Sequence, residues 1–265
     1  MRERELEFSP ENIKGRQYRV PTITGEGSGF GFTFDNLHLP IGWQEKISKV
    51  TAVRNGGLEN FLNKECEGRG LPPGEVVYDP KTGLPLELSV ETDPTSKISL
   101  ITEFPDREKG LYRGENVNQL MVAIVLQRSL IGFFNLFKAD NQMFIPYIDG
   151  SDEYGYYSRF LQLPEGFLET GTIITDANYQ ASLALLAKDI ASQFGLTLKG
   201  IWFDKQMGIL GSVDVLEGDA CGYDLDERSR RYEPHNVDTP YQAVVLHGVV
   251  ASFINHLLRS KDGQA

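Results

Sequence analysis

The first group of possible metal ligands in this sequence is a run of carboxylates between residues 217 and 227. It contains Glu217, Asp219, Asp224, Asp226 and Glu227, and it follows a predicted strand. Hard cations such as Mg²⁺ and Ca²⁺ are bound by several convergent oxygens, so Asp219, Asp224 and Asp226 are candidate ligands for either ion. The spacing does not match an EF-hand loop. A solvated acidic loop, paired with the arginines that follow it, is the alternative interpretation.

A second candidate site begins at the end of another predicted strand, at Asp149-Gly-Ser-Asp-Glu153. Tyrosines and a phenylalanine follow these carboxylates directly. Carboxylates beside exposed aromatic faces suit a sugar or a cationic ligand, through stacking and cation–π attraction. We therefore predict a ligand-binding site formed by Asp149, Asp152, Glu153 and Tyr156. The alternative is a polar turn followed by aromatic residues that enter the core.

Other catalytic signatures are missing from the sequence. The glycine-rich run at 25–31 lacks the spacing of a phosphate-binding loop, and no Gly-x-Ser-x-Gly elbow occurs. The four histidines and two cysteines form no zinc-binding pattern. On the last predicted helix, His247 and His256 are expected to be neutral and hydrogen-bonded. Cys66 is expected to be buried, and neighbouring carboxylates should make Cys221 a poor nucleophile.

The strands that would position these residues are predicted from alternation and turn signals. Alternation between residues 25 and 34 predicts one strand with Phe30, Phe32 and Phe34 on one face. Another strand is expected at 97–104, whereas residues 116–127 fit either a helix or a buried strand. Three hairpins are predicted: 75–78 with 84–90, 129–138 with 143–149, and 196–204 with 209–216.

Three helices are predicted from apolar periodicity and capping residues. The first covers 57–67, the second starts after Thr175 or Asp176 and ends before Gly195, and the third opens at Thr239-Pro240. The last helix is apolar nearly all round, so it should be buried. Hairpins followed by helices predict an α+β fold. We expect an antiparallel-rich sheet built from hairpins, with two long helices of the C-terminal half packed on it.

The chain length of 265 residues fits a single domain over 1–265. A subdivision at 69–74 is the alternative, because Arg69-Gly-Leu-Pro-Pro-Gly74 has the composition of a hinge. It would separate a Gly- and Phe-rich segment, 1–74, from a main α+β core, 75–265. Hydrophobic residues make up 40% and charged residues 24%, which is ordinary for a globular protein.

The net charge of −11 and the lack of a basic run predict that neither nucleic acid nor an anionic membrane surface is a partner. The apolar stretch 117–137 is long enough to cross a bilayer, but Arg128 would lie near its middle, so a buried core segment is expected. The start of the sequence lacks the apolar region of a secretory signal, and only two cysteines occur. We therefore expect a soluble cytoplasmic protein.

Three classes of function fit these observations. Because no catalytic constellation is evident, we expect a non-enzymatic or accessory protein that binds a small molecule or a protein partner. A metal-dependent hydrolase is the alternative: the strand order, with Asp79 ending the first strand, resembles the start of an RNase H-like phosphoesterase. Asp79, Asp149 and a carboxylate near 214–226 would then hold two Mg²⁺ ions. A cyclase or lyase-type enzyme, with carboxylate acid–base chemistry in an aromatic pocket, is a further alternative.

Overall fold

The computed structural model describes most of the second half of the chain and separate parts of the first half. The described residues are 19–25, 31–39, 57–79, 85–91, 99–100, 111–112, 117, 119–136, 143–168, 174–217 and 219–261.

These residues form a mixed fold of helices and antiparallel sheets, which confirms the α+β prediction. The helices are α1 Gly57–Glu67, α2 Leu120–Asn135, α3 Ala177–Gln193 and α4 Pro240–Lys261. The strands are β1 Thr22–Gly25, β2 Phe32–Asp35, β3 Leu37–His38, β4 Gly74–Tyr78, β5 Pro85–Val90, β6 Ser99–Leu100, β7 Leu111–Tyr112, β8 Tyr147–Ser151, β9 Gly155–Arg159, β10 Thr197–Phe203, β11 Leu210–Glu217, β12 Asp219–Asp226 and β13 Arg231–His235.

The largest sheet, here called the C-terminal sheet, has four strands in the order β10-β11-β12-β13. Its first hairpin confirms the pairing predicted for 196–204 and 209–216. The acidic run that we predicted to be a loop is strand β12 instead. Cys221 and Tyr223 on one face of this strand are buried, whereas Asp224 and Asp226 lie on the exposed face. The prediction was wrong because acidic residues and glycines are common in loops, whereas here they occupy the exposed face of a strand.

The hairpin of β4 and β5 confirms the pairing predicted for 75–78 and 84–90, although its turn lies outside the described residues. The strand predicted at 25–34 is two strands, because β1 ends at Gly25 and pairs antiparallel with β2. Phe34 is buried and Phe32 packs against the core, whereas Phe30 lies outside the described residues. Of the strand predicted at 97–104, the described part is β6.

The hairpin predicted for 129–138 and 143–149 was wrong, because helix α2 occupies most of its first arm. Strand β8 pairs with β9 instead. Helix α2 is buried on nearly every side. A helix without a polar face shows no period of 3.6 residues, so its sequence cannot be distinguished from that of a buried strand.

Helix α4 is the central element of the fold, and it contacts β1, the β8–β9 hairpin, the C-terminal sheet and α3. By length and composition α4 could cross a membrane, but 78% of its most apolar window is buried within the fold. The predicted caps are present. Thr239 Oγ1 accepts a hydrogen bond from the Gln242 backbone N–H at 3.2 Å, and Asp176 caps α3 through Tyr179 N at 2.8 Å.

Candidate functional site

Five charged side chains alternate in sign along one face of the β8–β9 hairpin. We call them the charge chain: Arg69, Glu65, Arg128, Asp149 and Arg159. Arg69 Nη1 lies 2.7 Å from Glu65 Oε2, and Arg128 pairs with Glu65 on one side. On its other side, Arg128 Nη2 lies 2.8 Å from Asp149 Oδ1, and Arg159 Nε lies 3.3 Å from Asp149 Oδ2. The order is therefore positive, negative, positive, negative, positive.

Four separate segments position the charge chain. Glu65 lies in α1, Arg69 follows that helix, Arg128 lies in α2, and the hairpin supplies the rest. Arg69 Nη2 also donates to the Gly150 carbonyl at 2.9 Å, which ties the end of α1 to β8. The first four side chains are largely buried, whereas 46% of the Arg159 side chain is exposed. The chain of charges thus runs from the interior to solvent.

Burial lowers the pKa values of these arginines, whereas hydrogen bonds and the charge of Asp149 raise them. Burial lowers the pKa of Arg128, and the charge of Asp149 partly offsets that effect. For Arg159 burial also opposes the charged form, but hydrogen bonds to Tyr157 and Tyr147 and the charge of Asp149 leave its pKa raised. An arginine with either shift remains a cation at neutral pH.

The structure does not bring all four predicted ligand-binding residues together. Asp149 accepts hydrogen bonds from Gly150 N at 2.9 Å and Tyr157 Oη at 3.2 Å, besides its two arginines, so protein donors occupy its oxygens. Tyr156 is 2% exposed and donates to Asp152, while Glu153 is exposed in the turn. Asp149 pairs across the hairpin with Tyr157 rather than Tyr156, so Asp149 and Tyr156 point to opposite faces.

A second polar group lies on the solvent side of the C-terminal sheet. We call this surface the outer face and define it by Trp202, Asp214, Asp224 and His235, one residue from each strand. His235 bridges the two carboxylates: its Nε2 lies 3.3 Å from Asp214 Oδ1, and its Nδ1 lies 3.1 Å from Asp224 Oδ2. Trp202 is 47% exposed. The outer face therefore combines an accessible aromatic ring with carboxylates and an imidazole.

Two glycines allow these side chains to lie close to the sheet. Gly200 pairs with Asp214, and Asp214 pairs with Gly222, so the glycines flank Asp214 across the strands. A Cβ at position 222 would lie 2.1 Å from Asp214 Oδ1, and one at position 200 would lie 2.4 Å from Trp202 Cη2. The carboxylate and the indole therefore occupy the space above glycines, where any side chain would displace them.

The predicted metal ligands do not converge. Asp219 and Asp226 lie at opposite ends of the eight-residue strand β12, about 20 Å apart at the usual rise per residue. Asp214 and Asp224 approach different nitrogens of His235, which point away from each other, so one ion could not share all three groups. Among the described residues, no group of three or more His, Cys, Asp or Glu side chains could hold a metal ion.

The carboxylates of the RNase H-like alternative belong to different sheets. Asp79 directly follows β4, Asp149 lies in β8 and Asp214 lies in β11, and these strands belong to three different sheets. The shared central sheet that would bring such carboxylates to one metal pair is therefore not formed by these strands.

A third polar group is buried and neutral. Tyr223 Oη donates to Ser158 Oγ at 3.0 Å, Ser158 Oγ lies 2.8 Å from His247 Nδ1, and His247 Nε2 lies 2.8 Å from the Pro21 carbonyl. Because a carbonyl only accepts, Nε2 carries the hydrogen and Nδ1 accepts from Ser158. Burial lowers the pKa of His247 to about 4. Both members of this serine–histidine pair are buried, so we assign them a structural role.

Sequence reasoning missed Arg128, Arg159, Trp202 and His235 as site residues. The one local signal was Arg128 itself, a charge within an otherwise apolar stretch, which needs a buried partner. Both cysteines are buried, as expected for Cys66, and burial raises the pKa of each thiol to about 11. No protein-family model, no curated protein and no solved structure matches this chain.

Proposed function

We propose that this chain is a non-enzymatic accessory protein whose outer face binds a basic segment of a protein partner. The observation that carries the proposal is the half-exposed indole of Trp202 beside the Asp214–His235–Asp224 bridge. Lysine and arginine side chains are attracted both to an indole face and to carboxylates. Tryptophan is also among the residues that most often dominate binding energy at protein interfaces.

Charge on the outer face supports a basic partner. Strand alternation and pairing place further charged side chains on the same side of the sheet as the Asp224 carboxylate. The carboxylates there outnumber the basic side chains, four to three: Asp214, Asp224, Asp226 and Glu233 against Lys199, Arg231 and His235. The net charge of −11 for the whole chain adds a long-range attraction that would speed association with a cationic partner.

The shape of the surface favours a protein segment over a small molecule. The outer face is one side of a four-stranded antiparallel sheet. Small-molecule sites are usually concave and enclose most of the ligand. A peptide or protein surface can instead lie across several strands and contact the indole and the carboxylates at once.

Tryptophan fluorescence tests this proposal, since the chain has only Trp43 and Trp202. In a Trp43→Phe background the emission reports Trp202 alone. Titration with a short arginine- and lysine-rich peptide should give a saturable change that weakens as salt rises. Acidic and neutral peptides of the same length should give no change.

Calorimetry with the same peptide separates the outer face from general charge attraction. Trp202→Ala should weaken binding about tenfold or more, because truncating a hot-spot residue costs on the order of 2 kcal/mol. Tyr154→Ala and Asp189→Asn are matched controls, since both residues are exposed on other elements. Equal losses in the controls, or no binding of the basic peptide, would refute the proposal.

A further inference from the structure

We propose that the solvent end of the charge chain is a second binding site, in which Arg159 anchors the oxyanion of a small acidic ligand. The ligand class is a carboxylate or phosphate group carried on a flat apolar body. This site lies on the β8–β9 hairpin and is independent of the function proposed for the outer face.

The charge balance of the cluster is the first argument. Three guanidinium groups alternate with two carboxylates, so one positive charge has no counterpart within the charge chain. Arg128 lies between both carboxylates, and Arg69 is held by Glu65 and by the Gly150 carbonyl. Arg159 shares its one carboxylate with Arg128. The deficit of negative charge therefore falls at Arg159, in a protein that is strongly acidic elsewhere.

The hydrogen-bond donors of Arg159 are the second argument. A guanidinium group has five N–H donors. Three are directed to protein acceptors: Nε to Asp149 at 3.3 Å, Nη1 to Tyr147 Oη at 3.4 Å and Nη2 to Tyr157 Oη at 3.2 Å. Within the described part of the chain, one N–H on each terminal nitrogen of this half-exposed side chain has no acceptor. Two N–H donors of one guanidinium match the two oxygens of a carboxylate or phosphate.

The aromatic surroundings of Arg159 are the third argument. The Arg159 guanidinium lies 6.0 Å from the centroid of the Tyr157 ring, which fixes its position before any ligand arrives. Tyr147, its cross-strand neighbour, contacts the ring of Phe160, and Phe160 stacks on Phe144 with centroids 4.4 Å apart. Part of the Phe144 ring is exposed. In this proposal, the exposed part of Phe144 supplies the apolar surface for the body of the acidic ligand.

The backbone beside Arg159 is held in an uncommon conformation. Phe160 has φ 65°, in the left-handed region that bulky residues rarely adopt. Such strain persists where the surrounding contacts determine the local structure, and it is concentrated at binding and active sites. Here the stacking of Phe160 on Phe144 and its contact with Tyr147 keep the rings next to Arg159.

NMR of the arginine Nε–H signals in the full-length protein tests the site without any substitution. The chain is titrated separately with inorganic phosphate, with benzoate and, at equal ionic strength, with chloride. We expect a saturable shift of the Arg159 Nε–H signal with phosphate, benzoate or both. Phosphate alone would identify a phosphate ligand, and benzoate alone a carboxylate on an aromatic body. Shifts no larger than those with chloride would overturn the proposal.

Variants then assign the effect to Arg159. Arg159→Gln should weaken binding of the effective anion at least about tenfold, since charge-assisted hydrogen bonds are lost. The affinity of Arg159→Lys for the anion should lie between those of Arg159→Gln and the unchanged chain, because lysine keeps the charge but not the paired donors. Arg228→Gln, at an exposed arginine of another segment, is the control. An equal loss in that control would show general charge attraction and would overturn the proposal.

Discussion

At the residue scale, burial determines what the titratable side chains can do. His247 has the type and spacing of a general base, with Ser158 Oγ 2.8 Å from its ring. However, it is 1% exposed and both of its nitrogens are engaged, so it joins α4 to β9 and to Pro21, the residue before β1, rather than serving a substrate. The side chains of Trp202 and Arg159 are about half exposed and are therefore accessible to a partner or a ligand.

The buried imidazole makes stability depend on pH. The pKa of His247 is lowered from 6.5 to about 4 by burial, so the unfolded chain binds a proton more readily than the folded one. The stability linked to neutral His247 is fully present above pH 6.5. It declines as the pH falls towards 4, by about 3 kcal/mol in total. Urea unfolding at several pH values measures this loss.

His247→Gln provides the matched comparison for that pH dependence. The variant should be less stable at neutral pH, because a glutamine cannot reproduce both hydrogen bonds in the same geometry. It should also lack the proton-linked loss, so its stability deficit should shrink between pH 6.5 and pH 4. A deficit that stays constant over this interval would mean that His247 does not titrate in this way.

At the element scale, two asparagines connect helices to other segments by the same pair of side-chain hydrogen bonds. Asn255 of α4 accepts from Val20 N at 2.7 Å and donates to the Val20 carbonyl at 3.0 Å. Asn135 of α2 does the same with Ile145, at 2.8 Å and 2.9 Å. One side-chain amide thus replaces the strand partner that the backbone of each segment would otherwise lack.

Loss of either amide should destabilise the fold. Asn255→Ala and Asn135→Ala each leave a backbone N–H and a carbonyl without their partner, which should cost about 1–3 kcal/mol in the free energy of unfolding. Asn255→Asp should also destabilise, because a carboxylate cannot donate to the Val20 carbonyl. Chemical denaturation measures these changes, and Asn178→Ala, at an exposed position of α3, is the control. Losses equal to those of the control would contradict this role.

The presence or absence of local sequence signals explains which elements could be predicted from sequence. The hairpins at 74–90 and 197–217 and the capped helices have local signals, namely alternation, turn residues and an N-cap, and they were predicted correctly. Helix α2 was predicted wrongly because complete burial removes its periodicity. The charge chain could not be predicted, because its members lie on segments up to 94 positions apart, between Glu65 and Arg159.

At the scale of the whole molecule, two surfaces of opposite charge lie on different elements. The outer face is acidic and lies on the C-terminal sheet, and the charge chain ends in a cation on the β8–β9 hairpin. Helix α4 contacts both the hairpin and the C-terminal sheet, so both surfaces are supported by one buried element. A basic partner and a small acidic ligand would therefore not compete for the same residues.

The most direct test of the central claim is NMR mapping of a basic peptide on the uniformly labelled chain. We predict perturbations at the side chains of Trp202 and His235 and along β11 and β12, with the strongest effects at outward positions such as 214 and 224. The surface of α3 should not respond. Perturbations at α3 or the β8–β9 hairpin, with the outer face unchanged, would contradict the assignment of the outer face as the partner-binding surface.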